Sequence, residues 1–172
     1  LNFSGLFPQA VDDPRGRCLR CAALHYRPLV SLLHHKGIPH TDSARKYEKI
    51  TFPVAVNREP FPHQAEAVDA WWKAGGRGVV VLPTGTGKTF TAILAIIRAG
   101  RSTLVVAPTL ELVSQWRSEL GHSLGVPVGA VGGGERDWKD VTVITYDSAH
   151  LLVDHWGHRF GMIVFEIGRA HV

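Results

Sequence analysis

The chain has almost no cysteine: Cys18 and Cys21 are the only two among 172 residues. A lone Cys-x-x-Cys supplies half a zinc site. His25, His34, His35 and His40 fall at no spacing that completes one, since adjacent His34 and His35 face different sides of a helix. The expectation is two reduced, unlinked thiols and no zinc. Long apolar runs are also missing. None approaches the roughly 20 residues that span a bilayer, and the N-terminus lacks the basic, apolar and small-residue order of a secretory leader. No membrane partner is expected, and a cytoplasmic location is. Excess charge is slight, with 19 Lys and Arg against 15 Asp and Glu for a formal +4, a bias toward a polyanionic partner that does not demand one. No internal repeat shows. The first residue is Leu1 and not Met, so the sequence is expected to begin inside a longer reading frame. With 45% hydrophobic residues, the chain has enough apolar material for one domain, or one and a piece.

What is present divides in two. Residues 1–57 pack charges and histidines around short apolar stretches and are expected to form a small α+β unit. Leu24, Leu29, Leu32 and Leu33 recur at helical spacing until Gly37 and Pro39 end the helix, and "KITFPVAV", 49–56, alternates like a strand. "NREPFP", 57–62, has the prolines and charges of a linker and places a boundary near Arg58. Beyond it helices and strands alternate. Ala65, Val68 and Trp72 form one helical stripe ended by Gly75 and Gly76, and "GVVVL", 78–82, reads as a strand buried on both faces of a parallel sheet. A helix with Ile93, Leu94 and Ile97 inward follows, then a buried strand at "TLVVA". The next helix carries Val113, Trp116 and Leu120 and is broken by Gly121 and Gly125. "VPVGAV", "VTVITY" and "GMIVF" are further strands, with "GGGERDWKD" a loop between the first two. This order predicts an α/β doubly wound layer over residues 58–165.

The turn "PTGTGKT", 83–89, lies between an expected strand and an expected helix, the context that marks a phosphate-binding loop. Gly85 and Gly87 let the backbone curl until several N–H groups converge, and the following helix adds its positive N-terminal dipole. Thr84, Gly85, Thr86, Gly87, Lys88 and Thr89 are therefore the candidate nucleotide ligands. Lys88 meets the terminal phosphates, and the Thr89 hydroxyl is a candidate ligand for Mg2+ alongside ATP. The first glycine of the strict eight-residue pattern is absent, Leu82 standing there.

With the loop in place, the flanking stretches resemble those of superfamily 2 helicases: "LPTGTGKT" looks like motif I, "LVVAPTLELVSQW" like motif Ia, and "VTVITYDSAH" like the later strand-contacting motif of the first RecA-like lobe. Together with "PHQAEAVDAWW" and "HRFGMIVF" they are most similar to bacterial and archaeal XPB-type helicases. Upstream, "DPRGRCLRCAALHYRPLV" and "DSARKYE" resemble the small damage-recognition domain that precedes that motor. The resemblance implies an incomplete RecA-like P-loop NTPase lobe, with a parallel sheet and helices on both faces, behind a DNA-binding α+β domain. It also implies ATP-dependent work on duplex and single-stranded DNA. By the same resemblance Gln64 holds the adenine edge, although the family more often has Tyr at the position of His63 and Arg at that of Phe61. Pro108, Thr109, Thr145 and Tyr146 would meet DNA, the threonine hydroxyls donating to phosphates of one strand. Trp71, Trp72 and Trp116 lie at helical spacing and are read as core packing, not as platforms for bases.

In this family the last strand should lead into Asp-Glu, the aspartate reaching the magnesium shell and the glutamate orienting water. Glu166 stands at the position of that aspartate as a candidate catalytic residue beside Lys88, and "IGRAHV" follows. The letters "EIGRAHV" are what a common sequencing adapter yields in translation, so residues 166–172 are expected to be read-through and not native protein. A chain without the second lobe is expected to grip nucleotide weakly and to unwind nothing. Two other readings remain: the motor segment of a restriction-type superfamily 2 translocase, and a non-catalytic DNA-binding module. A small-molecule kinase would need a lid-like arginine segment that is not found.

Overall fold

The structure, a computed structural model, describes residues 3–43, 49–55, 58–156 and 159–167. Its contacts divide the chain into two units, Leu1–Lys46 and Tyr47–Val172. In the first unit a short helix α1, Phe3–Leu6, precedes an antiparallel hairpin of β1, Val11–Asp13, and β2, Cys18–Arg20. Asp13 is buried at the hairpin and pairs with Arg20 at 2.7 Å and Arg15 at 3.3 Å. A single 3-10 turn, Ala23–His25, leads into α2, Tyr26–His35, and the Tyr26 hydroxyl bonds the Asp42 carboxylate. The helix lies where the leucine spacing placed it, and the chain leaves it through Gly37 at φ +61°. Cys18 and Cys21 are unlinked. Among the described residues no three His, Cys, Asp or Glu side chains gather to hold a metal. Most of "DSARKYE" lies outside the described residues, as do residues 168–172 of the expected read-through tail.

The second unit is built on a five-stranded sheet with the order β5-β4-β6-β3-β7. Its strands are β3, Thr103–Ala107; β4, Val128–Gly132; β5, Glu135–Arg136; β6, Val141–Thr145; and β7, Met162–Phe165. All neighbours are parallel except the β4–β5 hairpin at one edge. Four helices accompany it: α3, Pro62–Lys73; α4, Lys88–Ala99; α5, Leu110–Leu124; and α6, Tyr146–Trp156. Because side chains alternate across a strand, β3 sends Val105 and Ala107 to one face and Leu104 and Val106 to the other. The first face packs with Ile93, Ile96, Trp116, Leu120 and Leu124 of α4 and α5. The second packs with Ile144, Phe160, Ala149 and Leu152, the last two from α6. Helices thus cover both faces of an α/β sheet. No helix among the described residues is long and apolar enough to cross a membrane.

Four local expectations are corrected. Residues 49–55 form no strand. Instead Ile50 N–H donates to Gly100 O, Ala55 N–H donates to Ser123 O, and Phe52 enters the core beneath α4 and α5. Pro53 has no N–H to give a ladder, so the segment straps the ends of two helices. By its contacts that strap belongs to the second unit, Tyr47–Val172. Residues 78–82 also lie outside the sheet, with Val79 77% and Val81 85% exposed. A strand is made by its ladder partners, and β-branched residues only suit one. Among the described residues no strand pairs with the outer edge of β7, and 78–82 is not laid against it. Finally, α5 runs through Gly121 and stops at Gly125, whose φ of +66° ends it. Trp72 points outward, 44% exposed, under the Arg98 guanidinium at 5.1 Å.

Candidate nucleotide and DNA sites

The turn 83–89 ends on α4, whose N-cap is Gly87. Gly85 and Gly87 have φ of +80° and +79°, a region closed to residues with a Cβ except at a cost. The curl is fastened from inside: Thr86 Oγ1 donates to Pro83 O at 2.7 Å, and the Lys88 ammonium donates to Pro83 O at 3.1 Å and Leu82 O at 3.3 Å. The first N–H groups of a helix have no intrahelical acceptor, so the start of α4 offers donors and a positive dipole to an anion. Thr84, Gly85 and Lys88 are exposed, and Thr86, Gly87 and Thr89 are partly so. The arrangement suits an anion, with the exposed Lys88 ammonium beside it. Thr89 lies in the first turn of α4 and is partly exposed.

Gln64 is engaged with the loop. It has no exposed surface, its Oε1 accepts from Phe61 N–H at 3.0 Å, and its Nε2 donates to Thr86 O at 3.0 Å and Gly87 O at 3.3 Å. His63 Nε2 lies 3.2 Å from Thr86 O, and its ring stacks on Phe61 at 5.8 Å. The sequence carried a signal for part of this: Pro62 opens α3 and Gln64 follows Phe61 by three positions, the reciprocal half of a capping box. The contact of His63 with the loop had no such signal.

The DNA candidates come together through the sheet. Ala107 of β3 and Thr145 of β6 are register partners, so Pro108 and Thr109 stand beside Thr145 and Tyr146 at the carboxyl ends of neighbouring parallel strands. That edge is where open α/β sheets hold ligands. Glu166 belongs to the same edge: its N–H donates to Val106 O at 2.8 Å, and its carbonyl accepts from the Tyr146 hydroxyl at 3.2 Å. Burial, and secondarily the Glu166 carboxylate, raises the Tyr146 phenol above its ordinary pKa.

Both threonines cap helices. Thr109 Oγ1 accepts from Leu112 N–H at 3.3 Å at the start of α5, and Thr145 Oγ1 accepts from Ser148 N–H at 3.3 Å and donates to Ser148 Oγ at 3.0 Å at the start of α6. Glu111, in the first turn of α5, is held below the usual carboxylate range by its own backbone N–H and the Thr109 hydroxyl. Thr109→Val should therefore destabilise the chain by about 1 kcal/mol through the lost cap, whatever it does to DNA. Urea denaturation checks this, and an unchanged midpoint would mean that the cap carries no weight in α5.

Residues 57–166 match the family described as type III restriction enzyme, res subunit. Residues 4–44 match the xeroderma pigmentosum group B helicase damage recognition domain. The chain is 40% identical over 120 residues to the DNA 3'-5' translocase XPB2 of Sulfurisphaera tokodaii, a stretch that is 69% of this chain and 27% of the relative. It is 35% identical over 153 residues to the putative DNA 3'-5' helicase Rad25 of Halobacterium salinarum, covering 84% of this chain and 25% of the relative. Against the DNA 3'-5' helicase XPB of Mycobacterium tuberculosis it is 33% identical over 121 residues, 67% of this chain and 22% of that protein. The chain spans about a quarter of the length of the curated relatives it matches.

Proposed function

The chain belongs to the family described as type III restriction enzyme, res subunit, and from that premise we propose that it supplies the nucleotide-gripping lobe of an ATP-dependent DNA helicase or duplex translocase. Within superfamily 2 the XPB type is favoured by the damage recognition match over residues 4–44. The observation that carries the reading is the loop 83–89, curled by two left-handed glycines onto the N-terminus of the twelve-residue helix α4. ATP is the nucleotide and Mg2+ its metal. Thr84, Gly85, Thr86 and Gly87 surround the phosphates, Lys88 neutralises them, and Thr89 lends the metal a hydroxyl. Pro108, Thr109, Thr145 and Tyr146 form a DNA contact edge, and Glu166 takes the position of the acid that faces the metal. The first unit, Leu1–Lys46, which carries the damage recognition match over residues 4–44, forms the DNA-binding partner domain. A restriction-type translocase segment is the second reading, favoured by the match of residues 57–166 to the type III restriction enzyme family.

The test is ATP turnover by the protein expressed from the full reading frame, with and without duplex DNA. Turnover that DNA stimulates, and that Lys88→Ala removes while DNA still binds, is the expected result. DNA binding with no turnover under any condition would leave the non-catalytic module as the account. Cleavage of the duplex coupled to that turnover would move the assignment to the restriction-type reading.

A further inference from the structure

The two main-chain polar atoms of Glu166 are held from different directions. Its N–H donates to Val106 O of β3 at 2.8 Å, and its carbonyl accepts from the Tyr146 hydroxyl at 3.2 Å. The second bond joins strands that no ladder can join, because β3 lies between β6 and β7. Tyr146 follows directly on β6 as the first residue of α6, and its side chain reaches past the end of β3 to the residue after β7. Its ring also lies against Phe165, with centroids 6.2 Å apart. The acceptor is a main-chain carbonyl, so the bond does not depend on the side chain at 166. The N–H and C=O of one residue belong to the two peptide planes that flank its Cα, so holding both fixes the direction in which Cβ leaves the chain.

Among the described residues β7 pairs only with β3 and has no ladder partner on its other edge. A strand end held on one side opens locally at low cost, and the phenol supplies a tie that the missing neighbour does not. Both anchors of residue 166 lead into the candidate DNA edge: Val106 stands two positions before Pro108, and Tyr146 directly follows Thr145. Thr145 Oγ1 also caps α6 through the N–H and hydroxyl of Ser148, so a phosphate drawn to that threonine acts on the turn that carries the phenol. Resting on the nucleotide and DNA sites proposed above, we infer that Tyr146 is a positioning residue: its hydroxyl, bonded to the carbonyl of residue 166, sets the metal-facing acid in response to DNA and so carries the stimulation of ATP turnover by DNA.

Tyr146→Phe keeps the ring against Phe165 and removes only the donor. In the protein expressed from the full reading frame, this variant should lose about tenfold in kcat at saturating ATP and duplex DNA. KM for ATP and Kd for DNA should stay within about threefold of wild type, since a displaced reacting group costs rate and not affinity. A fall in DNA affinity that accounts for the whole loss of rate would make the hydroxyl a DNA contact and overturn the inference. Undiminished stimulation by DNA would overturn it too, and in both cases the nucleotide site stands. Wild-type protein that turns over no ATP even with DNA would overturn the proposed function and the inference with it. Amide exchange at residue 166 of the 172-residue chain, read by NMR, needs no turnover. Single-stranded DNA should slow that exchange by about threefold or more in the wild type, by holding the strand end closed, and leave it unchanged in Tyr146→Phe. Equal slowing in both would mean that DNA merely covers the strand end. No slowing in the wild type would mean that the DNA edge and the acid are not connected, a result that overturns the inference whether or not the variant folds.

Discussion

Lys88→Ala should weaken ATP binding to the 172-residue chain by about 10- to 100-fold, the worth of hydrogen bonds to a charged group, while its thermal stability stays within about 0.5 kcal/mol. The separation follows from where the lysine stands. Lys88 is exposed and its ammonium rests on the carbonyls of Leu82 and Pro83, neutral acceptors that a triphosphate in the same curl would outbid with full negative charge. Removing it leaves Thr86 Oγ1 on Pro83 O and Gln64 on Thr86 O and Gly87 O, so the loop keeps its shape and loses its cation. Titration with a fluorescent ATP analogue beside a melting curve reads both quantities. DNA affinity should stay unchanged in the same variant, because the candidate DNA edge lies at the carboxyl ends of β3 and β6. An ATP affinity that survives the substitution would remove the loop from the nucleotide site, and with it the main support for a motor.

How far the sequence revealed this arrangement depends on whether each pattern is completed locally or by a distant partner. The strands at 103–107 and 141–145 were legible because every position in both is buried, so composition and environment agree. The run at 78–82 has the same composition and lies outside the sheet, since β-branched residues make a strand only where a neighbour offers a ladder. The alternation at 49–56 misled for a related reason: only Phe52 of the described part is buried, and two helix ends supply its hydrogen-bond partners. The left-handed curl at Gly85 and Gly87 was legible, because glycine spacing encodes backbone shape directly. The engagement of Gln64 was not, because the acceptors it meets are backbone carbonyls at 86 and 87, which no side-chain pattern announces. The pairing of Arg117 with Val128 O, Glu135 and Asp137, which ties α5 to the β4–β5 hairpin, was hidden in the same way.

Trp116 separates packing from recognition most sharply. It lies on α5, 3% exposed, in the cluster that joins Ile93, Ile96, Leu120 and Leu124 to the sheet. Trp116→Ala should destabilise the chain by about 3–5 kcal/mol, the transfer and cavity cost of a buried indole. Whole domains hold only about 5–15 kcal/mol, so the variant should be partly unfolded near physiological temperature. Trp116→Phe keeps a ring in the space and should lose about 1–3 kcal/mol. Trp72→Ala is the control: that ring is 44% exposed beneath Arg98, and its loss removes about 1 kcal/mol of cation–π attraction at most for so open a site. Urea denaturation of the three variants orders them, and single-stranded DNA titration beside it tests the alternative. If Trp116 were a platform for bases, Trp116→Ala would keep the wild-type midpoint and lose DNA affinity. The core account requires the reverse order, with stability lost first and DNA affinity falling only in proportion to the unfolded fraction.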